Sequence, residues 1–178
     1  EMKTRTTIND GLELEFPEAE NILVFARKMV RELSYDICEM PFTTYLAAKA
    51  VGKKITALPL FITRNFHHQA IHVDANAGLS VPKDMEGKTA GIVRGYTVTT
   101  GVWARYVLSS EYDVDLSKVH WTCTDDEHVA EFQLPENADY AFKGREMSDL
   151  FERSEIAAAV GAINAASSNV KPLIPNAV

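Results

Sequence analysis

The chain has 178 residues, 46% of them hydrophobic, which is enough to bury a core and fold as one domain or two small lobes. Its formal charge of -7, with 18 lysines and arginines that form no run, argues against nucleic acid as a partner. No stretch approaches the about 18 apolar residues of a membrane-crossing helix, and Cys38 and Cys123 lie too far apart for a CxxC redox or zinc motif, so both are expected as buried thiols in strands.

Pro17 with Glu18 and Glu20 marks a helix start, and Ile22, Phe25, Ala26, Met29 and Leu33 recur at helical spacing, which predicts a helix over 18–33. Residues 35–39 read as a short buried strand, and Pro41 leads into a helix over 43–51 closed by Gly52. Strands are predicted over 55–61 and 69–73, with a loop between them that carries Arg64, His67 and His68. A new unit begins near Asn76, punctuated by Gly78, Pro82 and Gly87, and leads to a strand over 89–93. Gly95 breaks that strand, and a helix follows over 97–110 with Val98, Val102 and Tyr106 on one stripe and Gly101, Ala104 and Leu108 beside it. A strand over 119–123, a short helix over 125–132, a polar loop over 134–139, a helix over 147–153 and strands over 156–160 and 171–174 complete the pattern. Strands alternating with helices of this length predict an α/β class with a mainly parallel sheet covered on both faces.

Several common site motifs are absent. Gly87-Lys88-Thr89 is no phosphate loop, because Pro82 stands where a glycine is needed and a strand, not a helix, follows the lysine. GxGxxG and GxSxG do not occur, which removes the usual dinucleotide and serine-hydrolase arguments. The segment Arg94-Gly95-Tyr96-Thr97 is more informative. A glycine between strand and helix exposes backbone N–H groups at the helix start, which suits a carboxylate or phosphate, and Arg94 with the Thr97 and Thr99 hydroxyls adds charge and hydrogen bonds. An ordinary N-cap at Thr97 explains the same residues more simply when the segment is taken alone.

The loop Arg64-Asn65-Phe66-His67-His68 follows the end of a predicted strand, where ligands bind in open α/β sheets. Arg64 is suited to clamp a carboxylate. Adjacent residues of an extended chain point opposite ways, so at most one of the two histidines faces a given site, and His68 is favoured over His67 as the proton carrier; a plain solvated loop explains the segment as readily. Glu39 ends a buried-type strand as either a site acid or a paired structural charge. His128 and Glu131 lie one helical turn apart, too few ligands for zinc, and read as a surface pair. Trp103 and Arg105 read as packing and a solvated face.

Taken together, Tyr35-Asp36-Ile37-Cys38-Glu39-Met40, Leu58-Pro59, Arg64-x-Phe66-x-His68, Gly87-Lys88, Arg94-Gly95-Tyr96-Thr97, Trp103-Ala104-Arg105 and Pro172-Leu173-Ile174-Pro175-Asn176-Ala177 resemble the 4,5-dihydroxyphthalate decarboxylase-like family. The resemblance spans nearly the whole chain and implies a type II periplasmic-binding-protein-like fold of two Rossmann-like lobes with mixed, mainly parallel sheets, the first lobe incomplete. Residues 1–75 would belong to the first lobe, 76–170 to the second, and 171–178 to a return crossover, with a first strand expected before residue 1 and a closing segment after Ala177. Two positions depart from the pattern: His67 stands where relatives often carry arginine, and Arg94-Gly95-Tyr96 replaces a Glu-Tyr pair after a proline.

The resemblance implies decarboxylation of a hydroxylated aromatic dicarboxylic acid in an interlobe cleft. A ring hydroxyl para to the departing carboxylate pushes electrons into the ring, so no cofactor and no metal is expected. Arg64 would orient the acid, His68 would serve as base and Glu39 as acid, and Phe66, Arg94, Gly95, Tyr96 and Thr97 would line the substrate. The alternative is a solute receptor of an importer, closing its lobes on a small carboxylate. The partner is a small anionic ligand in both cases, a homo-oligomer is compatible with the sequence, and the compartment is cytoplasmic for the enzyme or periplasmic for the receptor.

Overall fold

Asn21 begins the first helix by accepting a hydrogen bond from the Leu23 amide at 3.0 Å, in a computed structural model that describes residues 6–8, 12–18, 21–161, 163 and 169–175. Helix α1 therefore spans Ile22–Glu32 and ends at Leu33 in the left-handed conformation, a later start than Pro17 suggests. Helix α2, Phe42–Ala50, stops at Val51 and Gly52, the latter at φ 79°, as the glycine predicts. A two-stranded antiparallel ladder, β1 (Thr6–Ile8) and β2 (Leu12–Leu14), precedes them and has no counterpart in the sequence reading.

Two predicted strands are corrected. Residues 35–39 and 55–61 are irregular, leaving Ile37, Leu58, Leu60 and Phe61 exposed. Strand propensity is realised only against a neighbouring ladder, and neither segment has one; Pro59 also removes a donor from the middle of the second. Glu39 accordingly lies in exposed coil rather than at the end of a buried strand, and Cys38 is only half-buried.

The remaining strands form one six-stranded sheet: β3 (Ile71–Asp74), β4 (Thr89–Ile92), β5 (His120–Cys123), β6 (Ala138–Asp139), β7 (Ala158–Val160) and β8 (Val170–Pro172), in the order β6-β5-β4-β7-β3-β8. Strands β6, β5, β4 and β7 are parallel neighbours, whereas β3 runs antiparallel to both β7 and β8. The sheet is thus mixed and mainly parallel. Helix α3 (Thr99–Tyr112) connects β4 to β5, and α4 (Met147–Glu152) precedes β7. The predicted helix over 125–132 does not form. The carbonyls of Asp126, Glu127 and His128 are taken by arginine side chains of α1 instead.

Both faces of the sheet are covered, as alternation along β7 shows. Ala158 and Val160 join a core with Ala104, Val107, Leu108 and Trp121, while Ala159 joins Met147, Leu150 and Phe151 on the other side. Helix α3 turns Gly101, Ala104 and Leu108 inward, leaving Trp103 and Tyr106 partly exposed, so the inner stripe lies beside the one led by Val98 and Tyr106. The Cys123 thiol is buried in β5 and pushed up to about 12 by burial.

Gly161 ends β7 at φ 140°, and a Cβ there would sit 2.5 Å from the Val93 Cβ. Gly161→Ala is therefore expected to cost about 2–4 kcal/mol through overpacking and backbone strain. Urea unfolding measures this, and a loss under about 0.5 kcal/mol would show that the β4 and β7 ends separate easily. Among the described residues, no helix is long and apolar enough to cross a membrane.

Candidate functional site

The carboxyl ends of β4 and β5 meet where the chain leaves the sheet. Arg94 follows β4 at φ 73°, a conformation that costs a non-glycine residue energy, and it is held there by neighbours. Its amide donates to Thr124 Oγ1 at 2.9 Å, and the Thr124 amide is shared between the Ile92 and Arg94 carbonyls at 3.2 Å each. The Arg94 side chain is exposed and pairs with no carboxylate among the described residues.

The amide cradle at Gly95-Tyr96-Thr97 exists, but it is filled from within. Glu127, 3% exposed, accepts from the Tyr96 amide, from the Thr97 amide at 2.9 Å and from the Thr97 hydroxyl, and the Tyr140 hydroxyl donates to it at 3.4 Å. Gly95 is required by this approach, since a Cβ there would lie 2.8 Å from Glu127 Oε1. Thr97 thus binds Glu127 instead of capping α3, whose first residue, Thr99, contacts Thr43 through its hydroxyl at 3.1 Å. Arg105 completes the arrangement. Read from sequence as a solvated residue, it is 6% exposed, donates to the Tyr96 carbonyl at 2.7 Å and lies 3.7 Å from the Tyr96 ring centroid. The Tyr96 peptide is therefore bonded at both ends, its N–H to an anion and its carbonyl to a cation.

Residues 125–129 bind the α1–α2 pair to the sheet. Arg27 donates to Asp125 Oδ2 at 2.9 Å and to the Asp126 carbonyl at 3.3 Å, and Arg31 donates to the Glu127 and His128 carbonyls at 2.7 and 3.0 Å. His128 is not part of a surface pair: it is 1% exposed, its Nδ1 lies 2.8 Å from Thr44 Oγ1, and its Nε2 is buried with no partner among the described residues. Burial, then the cations Arg27 and Arg94, push it down to about 4. Glu131 pairs with Lys53 at 2.5 Å instead. Among the described residues, no cluster of three metal-binding side chains occurs.

A cavity of about 380 Å³ opens at this edge, lined by Val93, Thr124, Asp125, Lys143, Arg145 and Ser148 among others. Lys143 bonds Asp126 at 2.7 and 2.8 Å, and Arg145 bonds Glu155 in bidentate fashion at 2.7 and 2.9 Å.

The other expected site residues lie elsewhere. His68, in a 3₁₀ turn, meets Glu111 through Nε2 at 2.9 Å, and its Nδ1 is buried without a partner among the described residues. Arg64 stacks over Phe61 at 5.1 Å, and Phe66 is 81% exposed, 6.3 Å from the His68 ring. Glu111 stands twelve residues beyond Thr99 on α3, roughly 18 Å along its axis, so His68 lies toward the opposite end of that helix from Arg94–Thr97. Among the described residues, Glu39 makes no side-chain hydrogen bond to either group. Arg94, Gly95, Tyr96 and Thr97 surround the cradle; Phe66 and His68 neighbour each other, Arg64 contacts Phe61 on the same loop, and Glu39 has no recorded contact with either group among the described residues. Glu127, Arg27, Lys143 and Arg145 were not foreseen, although the acidic run Asp125-Asp126-Glu127 directly after an apolar strand was a legible signal.

These features define an α/β protein with a mixed, mainly parallel sheet and a charged cavity at its carboxyl edge. No family model matches the chain. Over 160 residues, 85% of its length, it is 32% identical to a 4,5-dihydroxyphthalate decarboxylase of Comamonas testosteroni, covering 48% of that protein. Over 113 residues, 63% of its length, it is 31% identical to a protein of the same name from Pseudomonas putida, covering 43% of it. The chain is thus similar to the 4,5-dihydroxyphthalate decarboxylase-like family, and it spans about half the length of the curated relatives it matches.

Proposed function

We propose that this chain is part of a decarboxylase for a hydroxylated aromatic carboxylic acid of the 4,5-dihydroxyphthalate kind, with a substrate carboxylate held at the carboxyl edge of β4 and β5. The observation that carries the reading is the 32% identity to a decarboxylase of that name over 85% of the chain. The site adds a physical reason. Arg94, exposed and paired with no carboxylate among the described residues, follows Val93 of the wall of the cavity of about 380 Å³, and its strained backbone is the kind of cost that persists where a side chain must be aimed.

In this reading the edge binds and orients the acid. Electron density from the ring hydroxyl goes into the ring, a proton is delivered to the carbon that carries the carboxylate, and carbon dioxide leaves. The proton-transfer roles of His68 and Glu39 rest on the resemblance alone. The reading also carries a cytoplasmic location and the two-lobed periplasmic-binding-protein-like arrangement, with 1–75 and 76–170 in different lobes.

Incubation with 4,5-dihydroxyphthalate and detection of released carbon dioxide tests the activity; no release across a panel of hydroxylated aromatic acids rejects it. Arg94→Gly separates binding from folding. It should leave stability unchanged or raise it by about 1 kcal/mol by relieving the positive φ, while weakening phthalate binding by tenfold or more, read by calorimetry, as expected for a charge-assisted contact worth about 1.5–3 kcal/mol. Unchanged affinity would remove Arg94 from the site.

A further inference from the structure

We propose that Lys143 and Arg145, on either side of Gly144, are the residues that select a vicinal aromatic dicarboxylate over a monocarboxylate in the cavity at the β4–β5 edge. The inference rests on the reading that this edge takes an aromatic acid, and it assigns two side chains that carry no role in the sequence reading.

Local bonding fixes where the pair stands. The Gly144 amide donates to the Thr124 carbonyl at 2.8 Å, and Lys143 Nζ bonds Asp126 at 2.7 and 2.8 Å, so residues 143–145 run beside the chain leaving β5. Gly144 stands at φ 78°, a left-handed turn that costs glycine little, and both of its neighbours line the cavity of about 380 Å³. Small-molecule sites run from about 300 to 1,000 Å³, so the space suits a ring with two carboxylates. Val93 and Met147 add apolar wall for such a ring, and Thr124 adds a hydroxyl. That hydroxyl oxygen accepts from the Arg94 amide at 2.9 Å, which leaves its hydrogen to donate elsewhere.

Both cations are positioned and still have donors to give. Asp126 engages Lys143 and Glu155 engages Arg145, but an ammonium or a guanidinium carries more N–H groups than one carboxylate takes up. Neither of those acids lines the cavity, so each holds its cation from outside the space a ligand would fill. Lys143 is 52% exposed and Arg145 33%, so both are reached from solvent without any opening of the fold. Of the acids in the wall, Asp125 is engaged by Arg27 at 2.9 Å, and the Glu146 carboxylate has no partner among the described residues. Glu146 disfavours a bare anion but accepts from a phenolic hydroxyl, which suits a hydroxylated acid. A monocarboxylate meets one of the two cations, whereas adjacent carboxylates on one ring meet both, each through a charge-assisted bond.

The test is calorimetric titration of the wild-type chain, Lys143→Gln, Arg145→Gln and Lys143→Arg with phthalate and with benzoate. Both ion pairs lie at the surface, so the substitutions should leave the chain folded, as its thermal unfolding checks. The wild-type chain should bind phthalate about tenfold or more tighter than benzoate, the loss expected for one charge-assisted contact. Each glutamine variant should weaken phthalate by about tenfold and benzoate by less than about threefold, so that the preference collapses, while Lys143→Arg keeps it. An unchanged ratio of the two affinities in both glutamine variants would overturn the inference, and so would an equal loss for both ligands, which marks a general effect of charge or folding. If phthalate affinity then still falls in Arg94→Gly, the reading of the edge stands without this pair. A wild-type chain that binds neither phthalate nor 4,5-dihydroxyphthalate would overturn both.

Discussion

Glu127→Ala is expected to destabilise the chain by roughly 3–5 kcal/mol, the largest single-residue effect at this edge, because it removes the anion from a buried charged cluster. The carboxylate accepts from the Tyr96 amide, the Thr97 amide and the Thr97 hydroxyl. Alanine would leave these donors unsatisfied and would leave the Arg105 guanidinium, 6% exposed, without its nearby counter-charge. Glu127→Gln keeps one acceptor oxygen but places an amide nitrogen opposite donors, so it should recover only part of the loss. Thr97→Val removes a single donor and should cost about 1 kcal/mol. Urea denaturation reads all three. A Glu127→Ala chain within 1 kcal/mol of wild type would mean that water replaces the carboxylate freely and that the cradle is open to external anions.

Acid should weaken the fold through His128 well before most carboxylates titrate. In the folded chain its pKa is pushed down from 6.5 to about 4, so the unfolded chain binds the proton more readily. The neutral ring's contribution is complete above pH 6.5 and is lost as pH falls from 6.5 toward 4, amounting to about 3 kcal/mol at 1.36 kcal/mol per pH unit. Burial lowers His67 and His72 as well, and these add slope of the same sign. Carboxylates held low by hydrogen bonds or ion pairs, such as Asp84, Glu86 and Glu155, lose their contribution only as pH falls from their ordinary values near 4 downward. The His128 share is therefore the difference between wild type and His128→Gln over pH 4.5–6.5. Equal slopes for the two chains would sink the assignment.

Both effects concern residues 125–129, which the sequence presents as a short helix and the structure uses as a fastener. Helical periodicity was present there, but a lone helix of this length forms only when nothing better competes for its carbonyls. Arg27 and Arg31, almost a hundred positions earlier, compete and win. The same distance in sequence hid the role of Glu127, whose partners Tyr96 and Thr97 lie about thirty residues away. The cradle itself was visible in Arg94-Gly95-Tyr96-Thr97, because a glycine between strand and helix has local consequences for the backbone. That it already holds an anion was not.

Local chemistry is what the sequence by itself determined. The family followed from the order of short motifs; α2 and its glycine stop, the strands β4 and β5, and α4 followed from apolar pattern and punctuation, all of which act within one or two turns of chain. Tertiary structure alone decided the rest. It withheld strand pairing from 35–39 and 55–61, reversed β3 against β7 and β8, and set His68 against Glu111 at the far end of α3 from Arg94. Its charge and burial also turned a helix-surface histidine into the buried, half-satisfied His128. These outcomes depend on which distant segment arrives to share a hydrogen bond or exclude water, and spacing along one chain carries no record of that.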